Sequence, residues 1–516
     1  MVSRGNFQAR LTPFVKPIIL AGSVLTLLAV FRLTISYLSM NFIINSYATL
    51  FAATSWLFCL GQPIYTSIHT QEHYSIPYGP YGYILVGGFQ YVLGPSVFSS
   101  KLAPFLATFG SLIFLYLTLR TRVEWLCALA LTALASALEL LLDPIQFWPR
   151  PEPFLLLSVC AGMWAATRRR MWGPIVLGLC IGVAIDLKIY GFAFFFMAIA
   201  VAWRNHRSLG LWALAGLAGV VAVLLPFAWP NISIGNYLGT LKMMGAGRRF
   251  MEGLALQNFE WCVVLSMIGL APLFINKRES SETMAVLWKN ADLWGALLLS
   301  FLVVDHPASA EGSGPHHLLP FIPVAIYIAA HLHAAISSKP FLERTYNWAG
   351  LSMALSIVLF VEVYAVYTGA HEPGKLEPRE TLAKERIEDI ETVYSEKMPC
   401  VLLNAAGSMA TQEDDFYRAI LVFNGMPMGI DPAGTMDYKS LGYNEPDLSD
   451  FVAEVNSKYH KPIVWICPRG TVPFSLTSYF GSCDRVFSDH FVNDFHRIFQ
   501  LSGQSACFDL YEQKSN

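Results

Sequence analysis

Long apolar runs recur through the first 370 residues, and they constrain this chain more than any other feature. About 20 consecutive apolar residues is the length of helix that crosses the hydrocarbon of a bilayer. Eleven runs near that length are read at approximately 17–39, 100–119, 123–142, 153–167, 172–187, 190–203, 209–229, 260–276, 286–305, 316–334 and 346–367. The chain is 54% hydrophobic and 14% charged, against about 25% charged in soluble domains, so a soluble core cannot absorb the surplus. The predicted fold class is an all-α polytopic membrane domain, residues 1–368, followed by a soluble α/β domain, residues 369–516. A net charge of -2 without any basic stripe argues against nucleic acid as a partner.

Positive charge orients the runs, because Lys and Arg accumulate in cytoplasmic loops. With the amino terminus inside, alternate loops hold Arg4, Arg10 and Lys16, then Arg120 and Arg122, then Arg168 to Arg170, Arg204 and Arg207, Lys277 and Arg278, and Lys339 and Arg344. The opening MVSRGNFQARLTPFVKP resembles a signal peptide but has no small-x-small cleavage site, so it reads as an uncleaved first helix. Segments 40–99, 143–152, 188–189, 230–259 and 305–315 then lie outside, together with everything after about 368. This parity makes the apolar pieces 41–60 and 80–94 interfacial or re-entrant helices; two full spans would serve the parity equally and put 64–80 inside. A bacterial inner (plasma) membrane is the expected location, with the tail periplasmic or extracellular. The Asn231-Ile-Ser sequon in an outer loop would also permit glycosylation in an endoplasmic reticulum.

The tail alternates strands and helices: a helix over 380–398, strand 400–403, helices 416–423 and 448–459, strand 463–467, helix 491–500 and strand 506–511. That order favours a small, mostly parallel sheet. Four cysteines lie in the tail, Cys400, Cys467, Cys483 and Cys507; they allow two disulfides, with Cys467 and Cys483 the local pair, or four buried thiols.

A charged group inside a span costs on the order of 2.5–3.5 kcal/mol, so its position needs a reason. Glu139, Asp143, Glu152, Asp186, Asp305 and Glu362 lie at or near outer helix ends, which points to a polar cavity opening away from the cytoplasm. Glu139 and Asp143, four apart, project from one helical face; they can hold a divalent cation, share a proton, or be wetted by headgroups. In DPIQFWPRPE, Arg150 can grip a phosphate or pair with Glu152 to cap a helix. Lys188, in AIDLKIYG, runs against the positive-inside trend and invites an anion: Asp186, a lipid headgroup or a lipid-linked phosphate. Arg32, Arg248 and Arg249 add positive charge on the same side. Loop 40–99 is dense in Tyr, Gly, Pro and His around Glu72 and His73, with Tyr78 and Tyr81 suited to sugar faces or to an interfacial belt. In DHPASAEGSGPHHLLPFIP, Asp305, His306, Glu311, His316 and His317 lie just outside two spans without HxxxH or HExxH spacing.

The order of these segments resembles the glycosyltransferase C superfamily, the polyprenyl-phosphate-sugar enzymes that include protein O-mannosyltransferases and lipid A aminoarabinose transferases. GQPIY and YGPYGYILVGG resemble that family's first outer loop, WPRPEPFLLL its acidic segment opening a later span, IGVAIDLKIYG its G-x-A-x-x-x-K stretch and HHLLPFIPVAIY its Y-x-L-P-x-x-P helix start. The resemblance implies a lipid-phosphate sugar in an outward cavity, Glu152 near the reaction centre, Lys188 and Arg150 on the phosphate and His317 at the cavity rim; beside these, Asp143 is a candidate catalytic residue and Tyr78 and Tyr81 are candidate substrate-binding residues from the sequence itself. The family's early base would fall at 41–45, where MNFIINSYA offers no acid, so Glu72, later in the loop, takes that role. The expected function is sugar transfer to a lipid, glycan or protein acceptor. A divalent cation is the one cofactor left open, and a non-catalytic scaffold or a transporter are the alternatives.

Overall fold

The computed structural model describes residues 4–44, 46–67, 74–143, 148–275, 280–336 and 348–397, with short segments between 400 and 513. The membrane part is a succession of helices: α1 (Arg4–Ser39), α2 (Ser46–Cys59), α3 (Pro80–Leu93), α4 (Val97–Leu119), α5 (Trp125–Leu142), α6 (Pro151–Ala166), α7 (Trp172–Leu187) and α8 (Phe196–Asn205). It continues through α9 (Leu209–Leu224), α10 (Ile234–Gly247), α11 (Glu252–Ile275), α12 (Ser280–Lys289), α13 (Ala291–Ala308), α14 (Phe321–Ile336) and α15 (Trp348–Lys397). Among the described residues, eight helices are long and apolar enough to cross a membrane: α1, α4, α5, α9, α11, α13, α14 and α15, with 3-10 turns lengthening α9 and α14. This is an integral membrane protein.

The other three predicted spans are short. α6 and α7 have 16 residues each, and α8 has 10 after a 3-10 turn at Gly191–Phe195. At 1.5 Å per residue a 16-residue helix extends about 24 Å against roughly 30 Å of hydrocarbon, so one end stops short of the level its longer neighbours reach. α2 and α3, at 14 residues, extend about 21 Å.

Hydrogen bonds between loops show which ends lie together. Asn205 donates to the Ala166 carbonyl (3.1 Å), the His206 ring pairs with the Arg168 carbonyl (3.0 Å), and Arg204 donates to Asp292 (2.8 Å). The basic connections after α6 and α8 thus meet the start of α13 at one end of the bundle. At the other end Ile64 N–H donates to Asn231 O (3.2 Å), Gly79 N–H to Leu187 O (3.3 Å) and Met251 N–H to Ser309 O (2.8 Å). There the buried Lys101 ammonium caps α1, donating to Tyr37 O (2.9 Å) and Met40 O (2.8 Å).

Several expectations are corrected. The 230–259 loop holds α10 and the first turns of α11. The predicted span 346–367 and helix 380–398 are one 50-residue helix, α15, continuous through Pro373 and Pro378. Each proline removes one intrahelical donor, but the flanking Glu, Lys and Leu residues favour helix. Glu380 on α15 accepts from Asn41 N–H (2.7 Å) and from its side chain (3.2 Å), tying the helix to the end of α1. Asp143 is the residue at which α5 ends, extended (φ -150°, ψ 107°) with its N–H still donating to Glu139 O (2.9 Å).

In the tail, α16 (Tyr417–Phe423) accompanies strands β1 (Cys400–Leu403), β2 (Ala405–Ala406), β3 (Ile463–Pro468), β4 (Leu476–Ser478), β5 (Gly481–Cys483), β6 (Phe495–Gln500) and β7 (Phe508–Gln513). The larger described sheet runs β1-β3-β7-β6 and is mixed: β1 and β3 are parallel, β3–β7 and β6–β7 antiparallel. The expected mostly parallel order fails because the short connection between β6 and β7 permits only antiparallel pairing. The predicted helix 491–500 ends in strand β6 instead. A register shift between Arg497 and Phe499 places apolar residues at 495, 498 and 499, which imitates helical spacing. The predicted helix 448–459 and the cysteine pairings of the tail fall outside the described residues.

The bundle depends on close helix approach. A Cβ at Gly178 of α7 would meet Ala215 O of α9 at 2.0 Å, and one at Gly182 would meet Gly219 O at 2.3 Å, so both positions require glycine. Gly178→Val or Gly182→Val is expected to destabilise the detergent-solubilised protein by about 1–3 kcal/mol. Gly216→Ala, on α9 with nothing within 4 Å of its Cβ, should be neutral or slightly stabilising. Thermal unfolding followed by size-exclusion chromatography distinguishes the two responses.

Candidate functional site

The Arg-Pro-Glu-Pro sequence builds one wall of the site. Arg150 is the extended residue before α6 (φ -149°, ψ 168°), and Pro151 and Pro153 occupy first-turn positions whose N–H groups would have no intrahelical acceptor. This places Glu152 in the first turn, where the helix dipole favours negative charge. The opposite wall is the end of α7, whose backbone turns extended at Lys188 (φ -147°, ψ 127°).

Glu152, Lys188 and Arg150 meet there, at 4%, 3% and 5% exposure. Lys188 Nζ donates to Glu152 Oε1 at 2.7 Å, and Arg150 lies 3.6 Å from the same oxygen. Lys188 therefore pairs with Glu152, not Asp186. Burial works against the charge on Lys188 and Arg150, but Glu152 beside them outweighs it, holding both above their ordinary values and cationic; Tyr78 and Asp143 add to this for Arg150. Two cations against one carboxylate leave an excess of positive charge.

Aromatic and imidazole groups complete the cluster. Arg150 donates to Tyr78 OH (3.1 Å) and meets His316 Nε2 (3.3 Å), which fixes that ring nitrogen as an acceptor. Tyr190 OH pairs with His317 Nδ1, and their rings stack. The Lys188 ammonium lies 5.5 Å from the Tyr78 ring centre and 5.8 Å from that of Tyr190.

A cavity of about 280 Å³ opens on this cluster, with Tyr78, Arg150, Lys188, Tyr190 and His317 on its polar wall. Arg248 and His306 line it from the other side. Their loops are held together by a Phe250–Ala310 bridge, by Glu311 N–H donating to Arg249 O (2.8 Å), and by stacking of Phe250 on His306. Such a wall suits a bound anion with an apolar or sugar appendage.

Of the residues singled out in the sequence, Tyr78, Arg150, Lys188 and His317 line the cavity and Glu152 stands directly behind two of them. Asp143 lies close enough to act electrostatically on Arg150. Tyr81 is turned elsewhere, its hydroxyl donating to Ala222 O (2.8 Å). Glu72 lies outside the described residues. Sequence reading did not assign Tyr47, Tyr190 or Arg248 to the site; Tyr190 follows Lys188 by two positions in KIYG, whereas nothing local distinguishes Tyr47 from other interfacial tyrosines.

Glu152, His316 and His317 also offer donor atoms within 4.8 Å of one another, the one such trio among the described residues that could hold a metal. Their charges oppose it. The carboxylate oxygen a dication would take is 2.7 Å from Lys188 and 3.6 Å from Arg150. At an effective dielectric constant near 20, two unit charges 4 Å apart already repel by about 4 kcal/mol. The residues as arranged do not fit a metal.

Breaking a buried pair from one side leaves an uncompensated charge, so Lys188→Met is expected to cost about 3–5 kcal/mol of stability. The double variant Glu152→Gln with Lys188→Met should cost clearly less than the two single changes added together. Denaturation of all four proteins in one detergent closes the cycle, and strict additivity would deny the coupling.

No protein-family model matches the sequence, and no curated protein matches it. Among solved structures, ArnT from Cupriavidus metallidurans in the apo state is similar with a TM-score of 0.54 and 13% identity, covering 95% of this chain and 97% of that one. ArnT bound to undecaprenyl phosphate aligns with a TM-score of 0.52, at the same identity and coverage. The Archaeoglobus fulgidus oligosaccharyltransferase in the apo form is more distant, at 0.47 and 12% identity over 87% of this chain and 69% of that one. With nearly the whole length of both chains aligned, the protein shares the overall fold of ArnT.

Proposed function

We propose that the protein is a membrane glycosyltransferase that moves a sugar from a polyprenyl-phosphate donor to a lipid, glycan or protein acceptor. The observation that carries this reading is the Arg150–Glu152–Lys188 cluster, whose two buried cations face a cavity at the end of the bundle opposite the arginine-rich loops. By the charge rule those loops are cytoplasmic, so the cavity opens on the far side, in bacteria the periplasm. The part of the tail that follows α15 stands on that side and closes the cavity or selects the acceptor. The fold shared with ArnT, one structure of which holds undecaprenyl phosphate, supports the donor class.

The mechanism follows from charge movement. The acceptor oxygen attacks the anomeric carbon as the carbon–oxygen bond to phosphate breaks, and the electron pair leaves with polyprenyl phosphate. Arg150 and Lys188 stabilise the charge that develops on the departing phosphate, with Tyr78 and His317 placing the donor beside them. A base within about 3 Å of the acceptor oxygen takes its proton. Glu152, committed to two cations, holds them in place, and Glu72 in the first outer loop is the proposed base. Short helices α2 and α3 beside the cavity admit the polyprenyl chain sideways.

Removing one preorganised electrostatic donor typically costs 10²–10³ in rate, so Lys188→Ala or Arg150→Ala should lower transfer by about that factor. Lipid-linked sugars accumulating in a deletion strain, identified by mass spectrometry, would name the donor. Complementation with the Lys188→Ala or Glu72→Gln protein should leave the accumulation in place. If both variants restore the wild-type profile, the protein is a scaffold of envelope-glycan assembly instead of a catalyst.

A further inference from the structure

The segment Tyr78-Gly79-Pro80-Tyr81 is bolted to the rest of the molecule at four points. Tyr65 OH donates to Tyr78 O (2.6 Å), Gly79 N–H to Leu187 O (3.3 Å), Tyr81 N–H to the Asp186 carboxylate (3.0 Å) and Tyr81 OH to Ala222 O (2.8 Å). Two of the four partners are consecutive residues at the end of α7, immediately before Lys188. The chain of contacts therefore joins the two loops whose residues, Tyr78 and Lys188, share the polar wall of the cavity.

Local chemistry explains the joint. α3 begins with Pro80, and its N-cap, Gly79, has no side chain to satisfy the free N–H groups of the first turn. Asp186 supplies the cap from 105 residues away. It is 2% exposed, and its second oxygen, Oδ1, has no hydrogen-bond partner. A buried acid group with one oxygen left unpartnered is a costly choice for packing alone, because that oxygen is desolvated without a hydrogen bond in return. Gly79 permits the approach, since a Cβ there would lie 1.3 Å from Asp186 O.

We infer that Asp186 is a positioning residue, docking the start of α3 onto the end of α7 and thereby holding Tyr78 against Arg150 and beside Lys188. This role rests on the proposed function, because what it positions is the phosphate-holding wall. Asp186 itself does not line the cavity.

The test uses the full-length protein in detergent, with two readouts on wild type, Asp186→Ala, Asp186→Asn and Gly79→Ala. Hydrogen exchange of the peptide covering 78–86 reports the docking directly, whatever reaction the protein performs. Binding of undecaprenyl phosphate, followed by titration, reports the wall. Asp186→Ala should speed exchange in that peptide and weaken binding at least tenfold, with transfer down by on the order of 10²-fold, as expected for a misplacement near 1 Å. Gly79→Ala should do the same through the steric route, and Asp186→Asn, which keeps the acceptor oxygen, should recover both readouts to within about threefold of wild type. Unchanged exchange in Asp186→Ala overturns the docking, and faster exchange with unchanged binding overturns the positioning. If wild-type protein does not bind undecaprenyl phosphate while exchange still responds to Asp186, the proposed function has failed and the joint between α3 and α7 is structural only.

Discussion

The contact between Lys188 and Glu152 is the interaction on which the rest of this molecule depends. Three charged groups within a few ångströms, each about 95% or more buried, can persist in an apolar bundle only if they neutralise one another. The carboxylate is placed by the first turn of α6 and the ammonium by the extended residue that follows α7, so the pair joins the two helix ends. Arg150, one residue before α6, adds the second positive charge and leaves the cluster cationic.

Helix length and helix contact then decide where that cluster sits. α6 and α7, at 16 residues each, extend about 6 Å less than a bilayer core is thick. Arg150 and Lys188, at their charged ends, line the cavity. α7 packs closely on α9 because Gly178 and Gly182 let backbone meet backbone. The same economy of side chain recurs at Gly79, where the first outer loop crosses the end of α7.

Much of this was legible in the sequence, and what was not has physical causes. Apolar runs located a helix at each of the eleven predicted spans, though not the full length of α15, because that signal is set by a solvent that acts on each segment separately. Arg150, Glu152, Lys188 and His317 were marked by being charged or polar in the wrong company. The pairing of Arg150 with Glu152 was offered by their closeness in sequence, but that of Lys188 with Glu152 was not: Asp186 is nearer to Lys188 in sequence than Glu152 is, yet Asp186 is taken by the N–H of Tyr81. Tyr81 looked equivalent to Tyr78 in YGPYGY, but one side of the turn faces the cavity and the other faces α9, a distinction only tertiary packing makes. In the tail, the bulge in β6 disguised a strand as a helix because it breaks the two-residue period that identifies strands.

The same pairing that organises the site restricts the chemistry open to it. A carboxylate that accepts from Lys188 and faces Arg150 is stabilised in its charged form, and taking up an acceptor's proton would surrender both interactions. The group best placed by sequence to look catalytic is thus the least suited to act as a base, and its value lies in keeping two cations aimed at the cavity. His316 is similarly engaged with Arg150, and His317 with Tyr190. Under the proposed function the proton must therefore leave by a group outside this cluster, which turns attention to the first outer loop and to Glu72. Separating the group that takes the proton from the groups that hold the phosphate has a physical advantage. A base requires an environment in which it can become neutral, and a phosphate site requires one in which its cations never do.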